Sequence, residues 1–256
     1  MKALYHLKNF SIARLFLFGM VCLLPLRLWA ISEPDMTEGD RAIVKEALPL
    51  LQSAAENAWA NKQTEKARGL LSQAETRFLT LQEPATRFYF LARVELYRGW
   101  LADKKKQAQS HWQESMDQAK KAVEIRPWSE GYRVLADAGA AWMTSRGFGG
   151  IIKLASKVKA WTDRAVELDG NNALALVIST QGQINSPAFA GGDPAAAAAT
   201  LKKLLLRSDL DNIERFRAQV ALVSAHRKLK EPEAASRLCR QAAGIFPGNP
   251  SVQECQ

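Results

Sequence analysis

The chain has 256 residues, and its 35 lysine and arginine residues exceed its 26 aspartate and glutamate residues to give a formal net charge of +9. Four of the basic residues and no acidic residue lie in residues 1–30, so the rest of the chain carries only +5. This mild charge is interleaved with acidic residues, and the one dense run, at residues 104–106, is predicted to be a solvated turn. The pattern argues against a nucleic-acid-binding protein.

Residues 1–30 have the composition of an export signal. Three basic residues precede an apolar run at residues 15–26, which is too short for an ordinary membrane span of about 20 residues. The sequence therefore predicts a signal peptide that is cleaved after Ala30, which leaves residues 31–256 as a soluble periplasmic domain. The alternative is that residues 15–26 stay in place as an inner-membrane anchor.

The rest of the chain is dominated by good helix formers and shows no strand-like alternation. Thr37 and Asp40 have the spacing of a capping box at the start of the first helix. Turn and proline signals divide the sequence into helical hairpins. The predicted pairs are residues 37–61 with 63–81, 85–102 with 107–125, 129–145 with 150–168, 173–184 with 194–206, and 212–229 with 232–245.

Small residues recur where the two helices of a hairpin must touch. Equivalent places in the second helices are Ala74, Ala122, Ala165, Leu204 and Ala242, at intervals of 38 to 48 residues. A single hairpin cannot bury its own apolar face, so stacked copies share one elongated core.

The last unit, residues 219–247, resembles the tetratricopeptide-repeat superfamily. In that pattern Leu222 takes the large apolar place, Val223 the small apolar place and His226 an aromatic place. The two small places and the final proline are Ala235, Ala242 and Pro247. The resemblance implies an all-α fold, namely a right-handed solenoid of about five antiparallel helical hairpins, of the periplasmic type.

Residues 185–194 form a longer loop between two predicted helices. They resemble a loop found in the TatT-like partners of tripartite TRAP transporters. The resemblance implies self-association and contact with a periplasmic solute-binding protein. From the residues alone, Gly191 and Gly192 permit a sharp turn, Asp193 is placed to cap the next helix, and Pro194 suits its first position. Phe189 could equally serve packing or contact a partner.

Catalytic patterns are absent from the sequence. His111 and His226 lie outside any metal-ligand spacing, and no nucleophile-elbow motif occurs. His226 is predicted to face the core as a structural histidine. We therefore expect no enzymatic activity, no metal and no cofactor.

The glycine-rich segment at residues 146–153 precedes a predicted helix. It lacks the signature of a phosphate-binding loop, so we expect a flexible linker that lets Phe148 pack between hairpins. A phosphate at the helix N-terminus is the alternative interpretation.

Aromatic and basic residues gather on the third hairpin, where the concave face of such a solenoid binds peptides. The predicted partner or ligand groove comprises Tyr132, Arg133, Trp142 and Arg146, together with Phe189.

Cys239 and Cys255 are the cysteines left after export. An oxidising compartment favours a disulfide between them, closing a loop of about 16 residues, and the alternative is two unpaired thiols.

These observations favour an exported scaffold or adaptor that binds another envelope protein or a peptide segment, with self-association as an option. The alternative is an accessory of a TRAP-type transporter that handles a small, apolar ligand with a solute-binding protein.

Overall fold

The computed structural model describes residues 36–60 and 63–253. The predicted signal segment and Cys255 lie outside these residues. Among the described residues, none of the helices is both long and apolar enough to cross a membrane. The longer helices are α1 Glu38–Trp59, α2 Thr64–Phe78, α3 Pro84–Trp100, α4 Lys105–Ile125, α5 Ser129–Ser145, α6 Phe148–Leu168, α7 Ala173–Asn185, α8 Pro194–Leu205, α9 Asn212–Lys228 and α10 Pro232–Ile245. A 3₁₀ turn at Ala188–Ala190 precedes α8, and a short helix, α11, covers Pro250–Gln253.

The prediction of an all-α fold built from five hairpins is confirmed within the described residues. Local signals set most helix ends. Asp211 and Glu214 form a complete capping box at α9, with hydrogen bonds of 2.8 and 3.0 Å. Proline stands at the first position of α3, α8 and α10, where its missing N–H costs no helix hydrogen bond.

The start of α1 differs from the predicted capping box. The Thr37 hydroxyl accepts a hydrogen bond from the Asp40 backbone N–H at 3.0 Å, as expected for an N-cap. The Asp40 carboxylate, however, accepts from the backbone N–H groups of Gln82 and Glu83 at 2.8 and 3.1 Å. Asp40 is buried and ties the first hairpin to the start of the second, because those two loop N–H groups have no helical carbonyl to bond.

Small residues let the helices of each hairpin approach closely. The predicted contact positions Ala74, Ala122, Ala165 and Ala242 are fully buried. At Gly99 of α3, an added Cβ would lie 2.2 Å from the indole nitrogen of Trp112 in α4. The helix contacts therefore depend on the absence of bulk at set positions.

The solenoid curls until its last hairpin meets its first helix. The ring of Phe216 in α9 lies 5.9 Å from the Trp59 ring at the end of α1. The Asn249 side-chain amide donates to the Trp59 carbonyl at 2.7 Å. Residues of α9, α10 and α11 accordingly share one apolar core with α1 to α6.

The predicted flexible linker at residues 146–153 is wrong. Gly149 and Gly150 lie in the first turn of α6, and Phe148 is 78% exposed instead of packed between hairpins. The turn is short because Gly147 adopts a φ of +63°, which favours glycine. Gly150 then passes close to Met143, where an added Cβ would lie 2.4 Å from the carbonyl oxygen.

Candidate functional site

A largely buried charge network joins α5 and α9. Arg133 and Glu130, both on α5, form an ion pair at 2.7 Å. The Arg217 guanidinium of α9 donates to both carboxylate oxygens of Asp137, at 2.6 and 2.9 Å. Arg133 also approaches Asp137 at 3.5 Å. These charges join α5 to α9, two helices that lie far apart in the sequence.

Within this network, Arg133 and the other partners of Glu130 favour its ionised form. Burial alone would raise the pKa of Glu130, but the nearby Arg133 and a hydrogen bond from the Asn172 amide lower it to about 2. Tyr89 donates to Glu130 at 3.1 Å, and burial raises the pKa of this phenol to about 12. The Glu130 carboxylate is therefore held in its ionised form by fixed partners.

Of the residues predicted to line a groove, Arg133 is buried and Tyr132 is half-buried, and the groove itself stays a prediction. Arg133 is only 2% exposed, because its guanidinium is held by Glu130 and Asp137. Tyr132 is half-buried against the core and interacts with Arg164 of α6. Arg133 thus offers little surface to a ligand, whereas part of the Tyr132 side chain stays accessible.

Trp142 and Arg146 do lie together, at the C-terminal end of α5. The Arg146 guanidinium carbon lies 4.7 Å from the centre of the Trp142 ring, and the Lys153 ammonium of α6 lies 5.5 Å from the same ring. Trp142 is 7% exposed, so it forms a firm floor beneath two cations. Lys153 was not among the residues predicted for the groove, although it ends the glycine-rich segment 146–153 that the sequence analysis singled out.

These three residues line an open cleft of about 670 Å³ between α4, α5 and α6. The rest of its wall is polar or charged and comprises Glu95, Lys106, Gln109, Ser110, His111, Gln113 and Glu114. The Glu95 carboxylate bonds both the Arg98 guanidinium at 2.6 Å and His111 Nδ1 at 2.7 Å. Because Glu95 is already paired, the cleft presents its cations more than its anions.

The loop before α8 is built as a cap and a turn. Asp193 accepts hydrogen bonds from the backbone N–H groups of Ala195 and Ala196 at 3.1 and 2.9 Å, and Pro194 begins the helix. Gly191 has a φ of +84°. An added Cβ at Gly192 would lie 2.0 Å from the Ser186 carbonyl oxygen. The four loop residues named from sequence are thus accounted for by backbone geometry.

Phe189 stands at the tip of this loop and is 94% exposed. Successive hairpin turns lie along one edge of a stacked array, so this loop follows the α5–α6 turn. At that turn Phe148, Ile151 and Ile152 are also exposed. We call Phe148, Ile151, Ile152 and Phe189 the apolar edge. Large exposed apolar side chains on the turns of two successive hairpins make this edge a candidate interaction surface.

No catalytic arrangement emerges from residues 36–60 and 63–253. Within them, no three His, Cys, Asp or Glu side chains are grouped so as to hold a metal ion. The buried His226 ring bonds the Glu231 carboxylate, which suits a structural histidine. Cys239 is buried, and its predicted pairing with Cys255 stays a prediction.

No protein-family model matches the chain, and no curated protein matches it. Among solved structures, the chain is similar to TTC0263, a thermophilic tetratricopeptide-repeat protein of Thermus thermophilus, with a TM-score of 0.53 and 16% identity. That likeness covers 84% of this chain and 95% of the other. A second similar structure is that of YrrB, a tetratricopeptide-repeat protein with an unusual peptide-binding site. Its TM-score is 0.40 and its identity 16%, over 85% of this chain and 97% of YrrB. This similarity is too distant to support an argument. The first likeness concerns the fold alone, and by that measure the chain has a solenoid fold of the tetratricopeptide-repeat kind.

Proposed function

We propose that this chain is a non-enzymatic scaffold of the bacterial cell envelope that binds another protein through the apolar edge. Export follows from the predicted signal at residues 1–30. The observation that carries the binding role is the exposure of Phe148 and Phe189 on adjacent hairpin turns. Burying one such side chain in an interface is worth about 1.5–3 kcal/mol, so two of them can anchor a partner.

The inner face is a poorer candidate for this role. Helical-repeat solenoids commonly bind extended partners along their concave surface. Here the buried pair of Arg217 with Asp137 joins α9 to α5, and Phe216 packs on Trp59. A partner inserted between these helices would have to break a buried ion pair, whereas binding at the apolar edge needs no such break.

A second candidate is an accessory role with a periplasmic solute-binding protein. It is favoured by the loop at residues 185–194, whose tip residue Phe189 projects into solvent. The charged lining of the Trp142 cleft suits an ionic group better than the small apolar ligand first expected. Under this hypothesis the solute-binding protein itself is the partner of the apolar edge.

The test begins with the full chain carrying a C-terminal affinity tag and expressed with its own N-terminal segment. Partners recovered from the envelope fraction are identified by mass spectrometry, purified, and titrated against the tagged protein. The variant Phe148→Ser with Phe189→Ser should lose at least tenfold in affinity. Leu206→Ser is the matched control, because Leu206 is 86% exposed at the other end of α8 and should leave binding unchanged.

Each outcome separates the hypotheses. Recovery of a solute-binding protein or transporter subunit supports the accessory role, and recovery of another envelope component supports the general scaffold. Self-association that is lost in the double variant identifies a second copy as the occupant. Equal binding by the double variant and the wild type would refute the apolar edge as the binding surface.

A further inference from the structure

We infer that the cleft between α4, α5 and α6 binds the carboxylates of an acidic, extended protein segment. This inference concerns a different site from the apolar edge, and it rests on the proposed scaffold role only in taking the ligand to be a protein segment. Its basis is the placement of two cations over one buried ring.

Arg146 and Lys153 come from different helices yet share one aromatic floor. Their charged groups lie 4.7 and 5.5 Å from the centre of the Trp142 ring, and so at most about 10 Å from each other. Two like charges within one Debye length repel each other. Each cation–π contact stabilises its cation by only about 0.5–1 kcal/mol. An anion between or beside them would turn that repulsion into attraction.

Neither cation has an anionic partner of its own. Among the described residues, no carboxylate lies within salt-bridge distance of Arg146, Lys153 or Lys106, whereas the nearby Arg98 pairs with both Glu75 and Glu95. Of the two acids in the cleft wall, Glu95 is held by Arg98 and His111. That leaves Glu114, whose carboxylate accepts from Gln118, against three unpaired cations.

The surrounding backbone adds to the positive potential. Lys104 precedes α4, and Lys105 and Lys106 begin it, where the helix dipole favours anions and acidic side chains are absent. The first turn of α6 also lacks acidic residues. Cations at these positions are locally unfavourable, so they are better explained by a ligand than by helix stability.

The shape of the cleft favours a chain segment over a single small anion. Its wall along α4 runs from Lys106 to Glu114, which spans about 12 Å of helix. An extended chain covers that length with about four residues. The cleft is open to solvent, so a segment could enter it sideways, and the planar Arg146 guanidinium can pair with a carboxylate through two parallel hydrogen bonds.

The experiment measures binding of a fluorescein-labelled hexaglutamate peptide to the full chain by fluorescence anisotropy. Charge reversal with Arg146→Glu and Lys153→Glu should weaken binding roughly tenfold or more, since two attractive contacts become repulsive. Lys157→Glu with Lys159→Glu is the matched control. It makes the same charge change on exposed residues of α6 outside the cleft, and it should weaken binding about twofold or less.

The outcomes are decisive in both directions. The inference is supported if the Arg146→Glu with Lys153→Glu variant loses affinity for hexaglutamate, the control variant does not, and hexalysine does not bind the wild type. Equal loss in both variants shows a general charge effect and overturns it. Displacement of the peptide by inorganic phosphate but not by free glutamate also overturns it, because the site would then be one for phosphate. Circular dichroism of each variant establishes that the helices remain.

This test is independent of the proposed function. Phe148→Ser with Phe189→Ser leaves every cleft residue in place and should bind hexaglutamate as the wild type does. Suppose that this variant still binds hexaglutamate, and that neither the wild type nor the variant recovers an envelope partner. The scaffold proposal would then fail, and the inferred site for an acidic segment would stand.

Discussion

Replacing Asp137 by leucine tests whether the buried charge network closes the solenoid. Asp137 is 4% exposed, and both of its carboxylate oxygens accept from the Arg217 guanidinium, which lies 80 positions away in the chain. The substitution leaves Arg217 buried without an anion. Arg133 is less affected, because it keeps Glu130 at 2.7 Å.

The expected cost follows from this asymmetry. Removing one partner of a buried ion pair costs about 3–5 kcal/mol, mostly through the stranded charge. Arg217→Met should cost less, because Asp137 retains Arg133 at 3.5 Å. The double variant, Asp137→Leu with Arg217→Met, removes both charges and should be more stable than Asp137→Leu alone by about 2 kcal/mol.

Urea unfolding followed by circular dichroism measures these differences. At a slope of about 2–3 kcal/mol per molar urea, Asp137→Leu should lower the midpoint by about 1–2 M. Asp163→Leu is the control, since its pair with Lys159 is exposed and should be worth less than about 1 kcal/mol. Hydrogen exchange in α9 and α10 distinguishes opening of the last hairpin from global unfolding. If the double variant is no more stable than Asp137→Leu, the idea of a stranded arginine is refuted.

Three further predictions test the network, the helix contacts and the chain end. The pKa of Glu130 is about 2 in the folded chain and near 4.5 in the unfolded chain. Its contribution to the free energy of unfolding is therefore present above about pH 4.5 and is lost as the pH falls toward 2. In an acid titration, the Glu130→Gln variant should lose less stability over this pH range than the wild type. Gly99→Ala should lower the free energy of unfolding by about 1–3 kcal/mol, because the new methyl group would meet the Trp112 indole. Gly69→Ala has open space around it in α2 and should raise the free energy of unfolding by about 1 kcal/mol. Thermal denaturation measures both. If Cys239 and Cys255 are paired, Cys255→Ser should cost about 3 kcal/mol, and a reducing agent should affect only the wild type; equal stability with and without reductant would show that no disulfide forms.

Helix boundaries were accessible from the sequence because their causes are local. The predicted ranges of α5 and α10 match the structure, and Asp211 and Asp193 cap the helices that follow them. Small residues at the hairpin contacts could also be predicted, since their spacing repeats along the chain. Each of these features depends on residues within a few positions of one another or within one hairpin.

The candidate site was only partly accessible. Trp142 and Arg146 are neighbours on one helix, so their proximity follows from helical spacing, but Lys153 joins them across a turn whose geometry the sequence did not fix. Arg133 was assigned to an open groove although Glu130 and Asp137 stand three and four positions away, a spacing that predicts ion pairs along a helix. That local signal indicated a partnered arginine and was overlooked.

By itself, the sequence determined an all-helical chain of stacked hairpins, because capping, periodicity and turn chemistry act over short distances. Only the tertiary structure decided that the solenoid closes. The contact of Asn249 with Trp59 spans 190 positions, and the pairing of Asp137 with Arg217 spans 80. Small rotations between hairpins add up along a solenoid, so whether its ends meet depends on the packing of every interface. We expect this protein to meet its partners at the cleft between α4, α5 and α6 and at the apolar edge.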